Sequence, residues 1–506
     1  MTMANAALAL LSGVLSGLAF PKFGASFFSW ISLIPLFFAL SSDRSGPRRS
    51  FLTAWIAGTA FYAVLLYWIP AVPAHYGGLP AVVSFLIYLI FVLFLGLTWA
   101  AAGWLFALIF RRRPALAFWA APLLWVSFEY IITHFLTGFP WGVLGLSQAR
   151  NLWFIQTAAV TGVYGISFVL VLFQSTFVFS IRRRKRAPFV LGAVLLVLVH
   201  LAGYLSLGRP AETKDTFTAG VIQGNVSSDV YWTSTPAAEV RSLFEQHLAL
   251  TRQAAEAGAR LVIWPEFTVP LCFSCADPIS LEFKAGLTGF VRSSGTVLLL
   301  GTNEIAGPPE ARKYFNTALS LGPGLEGASY AKMHLVPFGE YTPYKAVFGF
   351  IEKVTHAVGE VTPGTEPVLH AFGPWKFGSP ICYEVIFPDL VRRFTKAGAN
   401  FLVTITNDGW YGRTSAPYQH FANAILRAVE NRRPLLRAAT TGISGFIDPY
   451  GRVVSETKIG ERTFVTGRVT PRTVLTPYVR FGDWFSRLCL TAGALTLILA
   501  FFKRRT

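Results

Sequence analysis

Long apolar runs, separated at alternate junctions by clusters of arginine, constrain this chain more than any other feature. Eight runs read as membrane helices: 4–20, 25–40, 51–69, 81–110, 115–137, 160–181, 189–207 and 484–502. About 20 apolar residues cross a bilayer core, and a backbone in lipid must satisfy its own N–H and C=O groups, which favours helices. A content of 53% hydrophobic and 14% charged residues, with a mean hydropathy of +0.49, excludes an ordinary soluble domain. The first two runs are short and the second contains Pro35, which predicts an opening pair that is tilted or partly re-entrant. The first run lacks a basic leader and a small-residue cleavage site, so it is read as retained rather than as a signal peptide.

The basic residues orient the bundle. Arg44, Arg48 and Arg49 lie in loop 41–50, Arg111 to Arg113 in 111–114, Arg182 to Arg186 in 182–188, and Lys503 to Arg505 in the tail. The alternate loops carry only Lys22 near 21–24, no basic residue in 70–80, and Arg150 in 138–159. The positive-inside rule then predicts cytoplasmic termini and places 208–483 on the far side, in the periplasm or its equivalent. The net charge of +18 is in part topological, and clusters confined to alternate helix boundaries argue against a nucleic-acid partner. Glu129 lies near a helix midpoint; an acid there is either a functional site or is held by a structural partner from another helix.

The expected domains are therefore 1–207, a membrane domain of about seven helices; 208–483, catalytic and extracytoplasmic; and 484–506, a last membrane helix with a basic tail. The middle block mixes charged helices with β-branched strands, as in an α/β fold. Strands are expected at 217–223, 260–264, 297–301, 316–321, 377–382 and 401–406, and helices at 236–257, 281–294, 388–397 and 417–432. A hairpin is expected over 435–454, turning at Asp448-Pro-Tyr-Gly451.

Three residues in this block carry the chemistry. Glu266 ends Leu261-Val-Ile-Trp-Pro-Glu266, Lys332 follows Tyr330-Ala, and Cys382 lies in Gly378-Ser-Pro-Ile-Cys382-Tyr-Glu384. Each follows or ends an apolar β-like run, so each side chain is expected to project from a strand end into one cleft. A thiol attacks acyl carbon as thiolate and needs a proton acceptor, and the tetrahedral intermediate needs a fixed positive group. Read from residues alone, this is cysteine acyl chemistry at a membrane surface.

Glu, Lys and Cys in this order resemble the carbon–nitrogen hydrolase (nitrilase) superfamily. With the membrane helices, the whole chain is similar to the apolipoprotein N-acyltransferase family. The matching segments are Gln223-Gly-Asn225 with Trp232, Leu335-Val-Pro-Phe-Gly-Glu-Tyr341, Ile381-Cys-Tyr-Glu384, Thr406-Asn-Asp-Gly-Trp-Tyr411, Gln419-His-Phe421, Arg433-Pro434 and Gly138-Phe-Pro-Trp141. The resemblance implies a polytopic α-helical membrane domain of about eight transmembrane helices joined to a nitrilase-like α-β-β-α sandwich. It implies transfer of an acyl chain from a phospholipid to the N-terminal amine of a diacylglyceryl cysteine on an apolipoprotein, in the bacterial inner membrane with a periplasmic active site. Cys382 would carry the acyl group as a thioester, Glu266 would move the protons and Lys332 would hold the oxyanion. Neither cofactor nor metal is implied, and a monomer is expected.

By the same resemblance Glu340, Glu384 and Tyr383 support the site, and Trp232, Trp410 and Tyr411 contact substrate or acyl chain. Ion pairing for the two acids and aromatic packing for the others are the plainer alternatives. His420 is expected to be structural, because Glu266 fills the role of base. Cys489 is expected to pack in the last helix, while Cys272 and Cys275 form either a local disulfide or two free thiols. The aromatic stretch 341–351 either covers the core or gates lipid access. Two other classes fit less of the sequence: a membrane-tethered amidase that uses water, and a transporter or scaffold with an inactive domain.

Overall fold

The computed structural model describes residues 2–42, 46–208, 215–227, 236–267, 272–324, 327–348 and 360–502. The chain divides into two compact units. One comprises Met1–Pro70, Pro80–Arg209 and Phe481–Thr506; the other comprises Ala71–Leu79 and Pro210–Arg480.

The first unit is helical. In chain order come α1 (Met3–Leu18), α2 (Ile34–Leu40), α3 (Pro47–Leu65) and the short α4 (Ala71–His75), which belongs to the second unit. Next are α5 (Ala81–Arg112), α6 (Pro114–His134), α7 (Leu152–Ile155), α8 (Ala158–Thr161), α9 (Val163–Arg183) and α10 (Ala187–Leu207), and a C-terminal helix spans Trp484–Phe501. Among the described residues, five helices are long and apolar enough to cross a membrane: α5, α6, α9, α10 and Trp484–Phe501. Run 4–20 is instead the 16-residue α1. Run 25–40 is broken into a 3₁₀ turn, Ser26–Trp30, and the seven-residue α2.

The break is compensated by side chains. Pro35 has no N–H to give, and the backbone groups freed around it find polar partners. Leu33 N–H donates to Gln174 Oε1 at 2.7 Å and Leu36 N–H to Ser12 Oγ at 2.9 Å. Gln174 Nε2 donates to Ser29 O at 3.0 Å and Gln148 Nε2 to Ser26 O at 2.9 Å. Irregular backbone survives in an apolar bundle only when it is satisfied in this way. Glu129 is held similarly: its Oε1 accepts from Trp125 Nε1 at 2.9 Å and from Leu144 N–H at 2.8 Å.

Small residues let the helices approach. A Cβ on Gly13 of α1 would lie 2.2 Å from the carbonyl oxygen of Ala57 on α3, and one on Gly58 of α3 would lie 2.6 Å from Trp99 Cβ on α5. The obstacle at Gly13 is backbone and cannot swing aside. Without a hydrophobic drive between helices in lipid, such close packing is a main source of association.

The second unit holds two six-stranded sheets, ordered β12-β1-β2-β3-β4-β5 and β11-β10-β9-β8-β7-β6. The strands are β1 (Phe217–Gln223), β2 (Leu261–Ile263), β3 (Val297–Ala306), β4 (Lys313–Leu321), β5 (Ser329–Ala331) and β6 (Leu369–Phe372). They continue with β7 (Trp375–Gly378), β8 (Phe401–Thr406), β9 (Leu435–Ala439), β10 (Gly445–Ile447), β11 (Val453–Glu456) and β12 (Thr463–Val469). The central trios β1-β2-β3 and β7-β8-β9 are parallel. Helices α11 (Ala237–Glu256) and α12 (Pro278–Ser294) bury Phe244, Phe283 and Leu287 with Trp264 of the first sheet. Phe217 of β1 meets Phe372 and Phe401 of the other sheet, with ring centroids 4.5 and 5.3 Å apart.

Two expected strands differ. The strand at 377–382 stops at Gly378, because Pro380 has no N–H for a ladder; only an isolated bridge from Ile381 to Ile405 continues its line. The hairpin over 435–454 is three strands, β9, β10 and β11, in antiparallel succession. Its Asp448-Pro-Tyr-Gly451 turn joins the last two, with Gly451 N–H donating to Asp448 O.

Substitution Gly13→Leu should lower the thermal stability of the detergent-solubilised protein by about 2 kcal/mol, the usual scale of overpacking. An unchanged unfolding midpoint would show that α1 does not lie this close to α3.

Candidate active site

Strand ends bring the candidate residues together. Glu266 follows β2, Lys332 follows β5, and Cys382 lies one residue beyond the Ile381 bridge, on a 3₁₀ turn, Cys382–Ile386. Ligand crevices of α/β sheets form at such carboxyl edges. Gly301 on β3 allows the Glu266 backbone to pass: a Cβ there would sit 2.7 Å from Glu266 Cα and 2.8 Å from Pro265 O.

Lys332 is the centre of this cluster and only 1% exposed. Its Nζ donates to Glu340 Oε1 at 2.9 Å and lies 3.4 Å from Glu266 Oε1. Asn316 Nδ2 bridges the same two oxygens, at 2.7 Å from Glu266 and 2.8 Å from Glu340. The remaining oxygens accept backbone N–H groups, Glu266 Oε2 from Asn407 and Glu340 Oε2 from Val336, each at 2.8 Å. Burial works against the ammonium, yet the Glu340 and Glu266 carboxylates and the Cys382 sulfur outweigh it and hold the lysine above its usual range.

Cys382 is 4% exposed. Burial and then the Glu266 carboxylate push its thiol up, while Lys332 pulls it down. Burial thus favours the neutral thiol, and the Glu266 carboxylate is close enough to be felt. The Cys382 backbone has φ of 49°, a left-handed conformation that non-glycine residues hold only under constraint.

Glu384 ties the nucleophile turn to the lysine loop. Its Oε1 accepts from Tyr330 Oη at 2.7 Å, Met333 N–H at 2.7 Å and His334 N–H at 3.0 Å, and its Oε2 accepts from Ile381 N–H at 2.7 Å. Burial pushes this carboxyl up to about 7, with the Ile381, His334 and Tyr330 donors and the Lys332 charge opposing the shift. Tyr383 is buried, its ring against Phe387 and His334.

Asp408 stands at the other end of the Thr406–Tyr411 segment. It accepts from Thr406 Oγ1 at 3.1 Å and from Arg437 Nη2 at 2.9 Å, and His420 Nδ1 lies 2.9 Å away. Tyr76, beside α4, donates its hydroxyl to Gly409 O at 3.0 Å and sets its ring edge-on to Trp410 at 4.7 Å. Tyr411 places its ring edge-on to His420 at 6.4 Å.

Trp232 lies outside the described residues, as do 349–351, the end of the expected gate. Cys272 and Cys275 are joined as a disulfide, and the intervening Phe273 and Ser274 N–H groups donate to Glu304. Cys489 is buried in the C-terminal helix.

The site also contains residues that sequence reasoning missed. Asn316 had a weak signal, a polar residue beside the apolar run that ends in Leu321. Tyr330 and Arg437 had none, since their partners come from segments more than 25 residues away in sequence.

The family model for the apolipoprotein N-acyltransferase N-terminal domain matches residues 12–176, and that for carbon–nitrogen hydrolases matches 218–476. The apolipoprotein N-acyltransferase of Geobacter metallireducens is 36% identical over 98% of this chain and 95% of its own length. This chain belongs to the apolipoprotein N-acyltransferase family. Another member, from Azotobacter vinelandii, is 33% identical with the same coverage of both chains. Among solved structures, an amidase of the nitrilase superfamily from Nesterenkonia is similar over 55% of this chain and 98% of its own, with 21% identity and a TM-score of 0.41.

Asp408 makes the fold acid-sensitive. Burial would raise its pKa, but Arg437 and then His420 hold it at about 2, below its ordinary 3.8. A depressed carboxyl stabilises the fold above the unfolded value and loses that contribution as pH falls through the folded one. Wild type should therefore exceed Asp408→Asn by about 2 kcal/mol near neutral pH, with the gap closing between about pH 4 and 2. Thermal unfolding of both proteins across that range measures it, and a gap independent of pH would refute it.

Proposed function

We propose that this protein transfers an acyl chain from a membrane phospholipid to the free N-terminal amine of the diacylglyceryl cysteine of an apolipoprotein, through a thioester on Cys382. The observation that carries this reading is a buried cysteine on a strained turn, coupled electrostatically to a buried Glu266–Lys332–Glu340 cluster, in a chain homologous over nearly its whole length to apolipoprotein N-acyltransferases.

Glu266 takes the thiol proton as Sγ attacks the ester carbonyl. Lys332 stabilises the oxyanion, and its short contact to Glu340 keeps the ammonium charged and aimed. Collapse breaks the ester C–O bond, Glu266 returns the proton to the lyso-lipid alkoxide, and the acyl group remains on sulfur. In the second half Glu266 takes a proton from the incoming amine, which attacks the thioester; the amide forms and the cysteine leaves as thiol. Glu384 and Glu340 orient the loops that carry Cys382 and Lys332. Tyr383, Trp410 and Tyr411 face the acyl chain or the lipoprotein, and Trp232 is assigned to the same substrate contact by its sequence motif.

The alternating basic loops support a multi-pass protein of the bacterial inner membrane with both termini cytoplasmic and residues 208–483 periplasmic. About eight spanning segments then include the short α1, the broken run 25–40 and α3. Paired sheets with helices packed against them support a four-layer α-β-β-α arrangement, and a monomer suffices for this chemistry.

The test is made on purified full-length protein with phospholipid alone. An acyl thioester should accumulate on Cys382 with about one equivalent of lyso-phospholipid, as a burst. A diacylated lipopeptide with a free amine should discharge it, and an N-acetylated one should not. Cys382→Ala should form neither thioester nor product, and Lys332→Ala should lose roughly 3–4 kcal/mol of transition-state stabilisation. Steady release of free fatty acid without an amine would make the protein a hydrolase instead.

A further inference from the structure

A second buried polar chain runs beneath the nucleophile turn, and the acyl-transfer scheme leaves it without a task. His420 projects from the helix Ala416–Asn431, and Arg437 lies on β9. His420, Asp408 and Arg437 are all fully buried. His420 Nε2 lies 3.1 Å from the carbonyl oxygen of Cys382 itself, and Nδ1 lies 3.0 Å from Arg437 Nη2 and 2.9 Å from Asp408 Oδ1.

A carbonyl oxygen only accepts, so Nε2 carries a hydrogen. Nδ1 lies between a carboxylate oxygen of Asp408, which only accepts, and the Arg437 guanidinium, which only donates. Burial, and then the Arg437 charge, lower the affinity of His420 for a proton, and the Asp408 carboxylate opposes them. Asp408 takes Arg437 on both oxygens, at 3.2 and 2.9 Å, and so balances the guanidinium beside the ring. With Nε2 already donating and Nδ1 engaged by Asp408 and Arg437, His420 offers no lone pair to the thiol.

What remains is its grip on the backbone. Cys382 sits at φ of 49°, which a non-glycine residue keeps only where its surroundings over-determine it. Glu384 fixes the residue before it, accepting the Ile381 N–H. The His420 hydrogen bond fixes the peptide after it, through the Cys382 carbonyl. We propose that His420 is a positioning residue for the nucleophile: with its ring held by Arg437 and Asp408, it donates to the Cys382 carbonyl and holds the turn in the conformation that presents the thiol. The proposal rests on Cys382 being the nucleophile, and it predicts an effect on sulfur reactivity rather than on lipid binding.

The test uses full-length His420→Gln, His420→Asn and His420→Phe. The Gln Nε2 can take the place of the imidazole Nε2, the Asn amide falls one methylene short, and Phe keeps the ring without a donor. Two rates are read: alkylation of Cys382 by iodoacetamide, followed by peptide mass spectrometry, and thioester formation from diacyl phospholipid in mixed micelles. His420→Gln should stay within about threefold of wild type in both. Asn and Phe should be slower by about tenfold or more, as for loss of one well-placed hydrogen bond, with an unchanged apparent KM for phospholipid. If Phe does not fold, the comparison of Gln with Asn carries the test. Gln no better than Asn, or Phe reacting at the wild-type rate, would overturn the proposal. Alkylation that follows the Gln, Asn and Phe order in a protein that never takes an acyl chain would support the positioning role and refute the acyl-transfer reading. Acylation indifferent to all three would do the reverse.

Discussion

A lysine ammonium with almost no water around it is the constraint on which the rest of the catalytic unit depends. Removing an isolated charge from water costs several kcal/mol, and the cost is met only by opposite charge and hydrogen bonds in good geometry. Lys332 obtains both from Glu340 and Glu266, with Asn316 bridging them. Those two acids need donors in turn and take them from the backbone of Val336 and Asn407. The cluster closes only when the loops after β2, β5 and β8 are all in place. A charged centre of this kind leaves little freedom to the loops around it.

The nucleophile turn obeys the same logic from a different side. Pro380 ends the strand, Cys382 takes a left-handed backbone, and the strain is borne by partners on separate elements: Glu384 within the turn, Tyr330 across the sheets, and His420 from a helix. Glu384 has a particular part, because its four donors come from both the cysteine turn and the lysine loop. A change at Glu384 would reach both candidate catalytic groups at once, and its effects should not add simply to those of either.

The helical unit solves an unlike problem with similar means. Serine and glutamine side chains take up the groups freed where run 25–40 breaks, and glycines admit neighbouring backbones. An apolar run is thus not the same thing as a spanning helix. The 25–40 segment has the composition of one, but Pro35 and the partners supplied by Gln174 and Ser12 allow it to be two short pieces. Sequence hydropathy counted it as one of eight spans, while among the described residues five helices are long and apolar enough by themselves.

Much of the site was legible because the chemistry-bearing residues sit in short local contexts: a strand end before Glu266, an apolar stretch before Lys332, and a Pro-containing turn before Cys382. Sequence pattern likewise located the amphipathic helix expected at 236–257, found at Ala237–Glu256, the helix expected at 388–397, found at Pro388–Lys396, and the strand Phe401–Thr406. Sequence alone determined the apolar composition, the alternation of charge along the membrane half and the α/β texture of the middle block, because these are properties of neighbours along the chain. Only the tertiary structure decided that Asn316 bridges two acids, that His420 grips the carbonyl of Cys382 and that Arg437 and Asp408 flank that histidine. Each of these contacts joins residues from separate strands, helices or loops, and no local pattern encodes which distant donor a buried acceptor will meet.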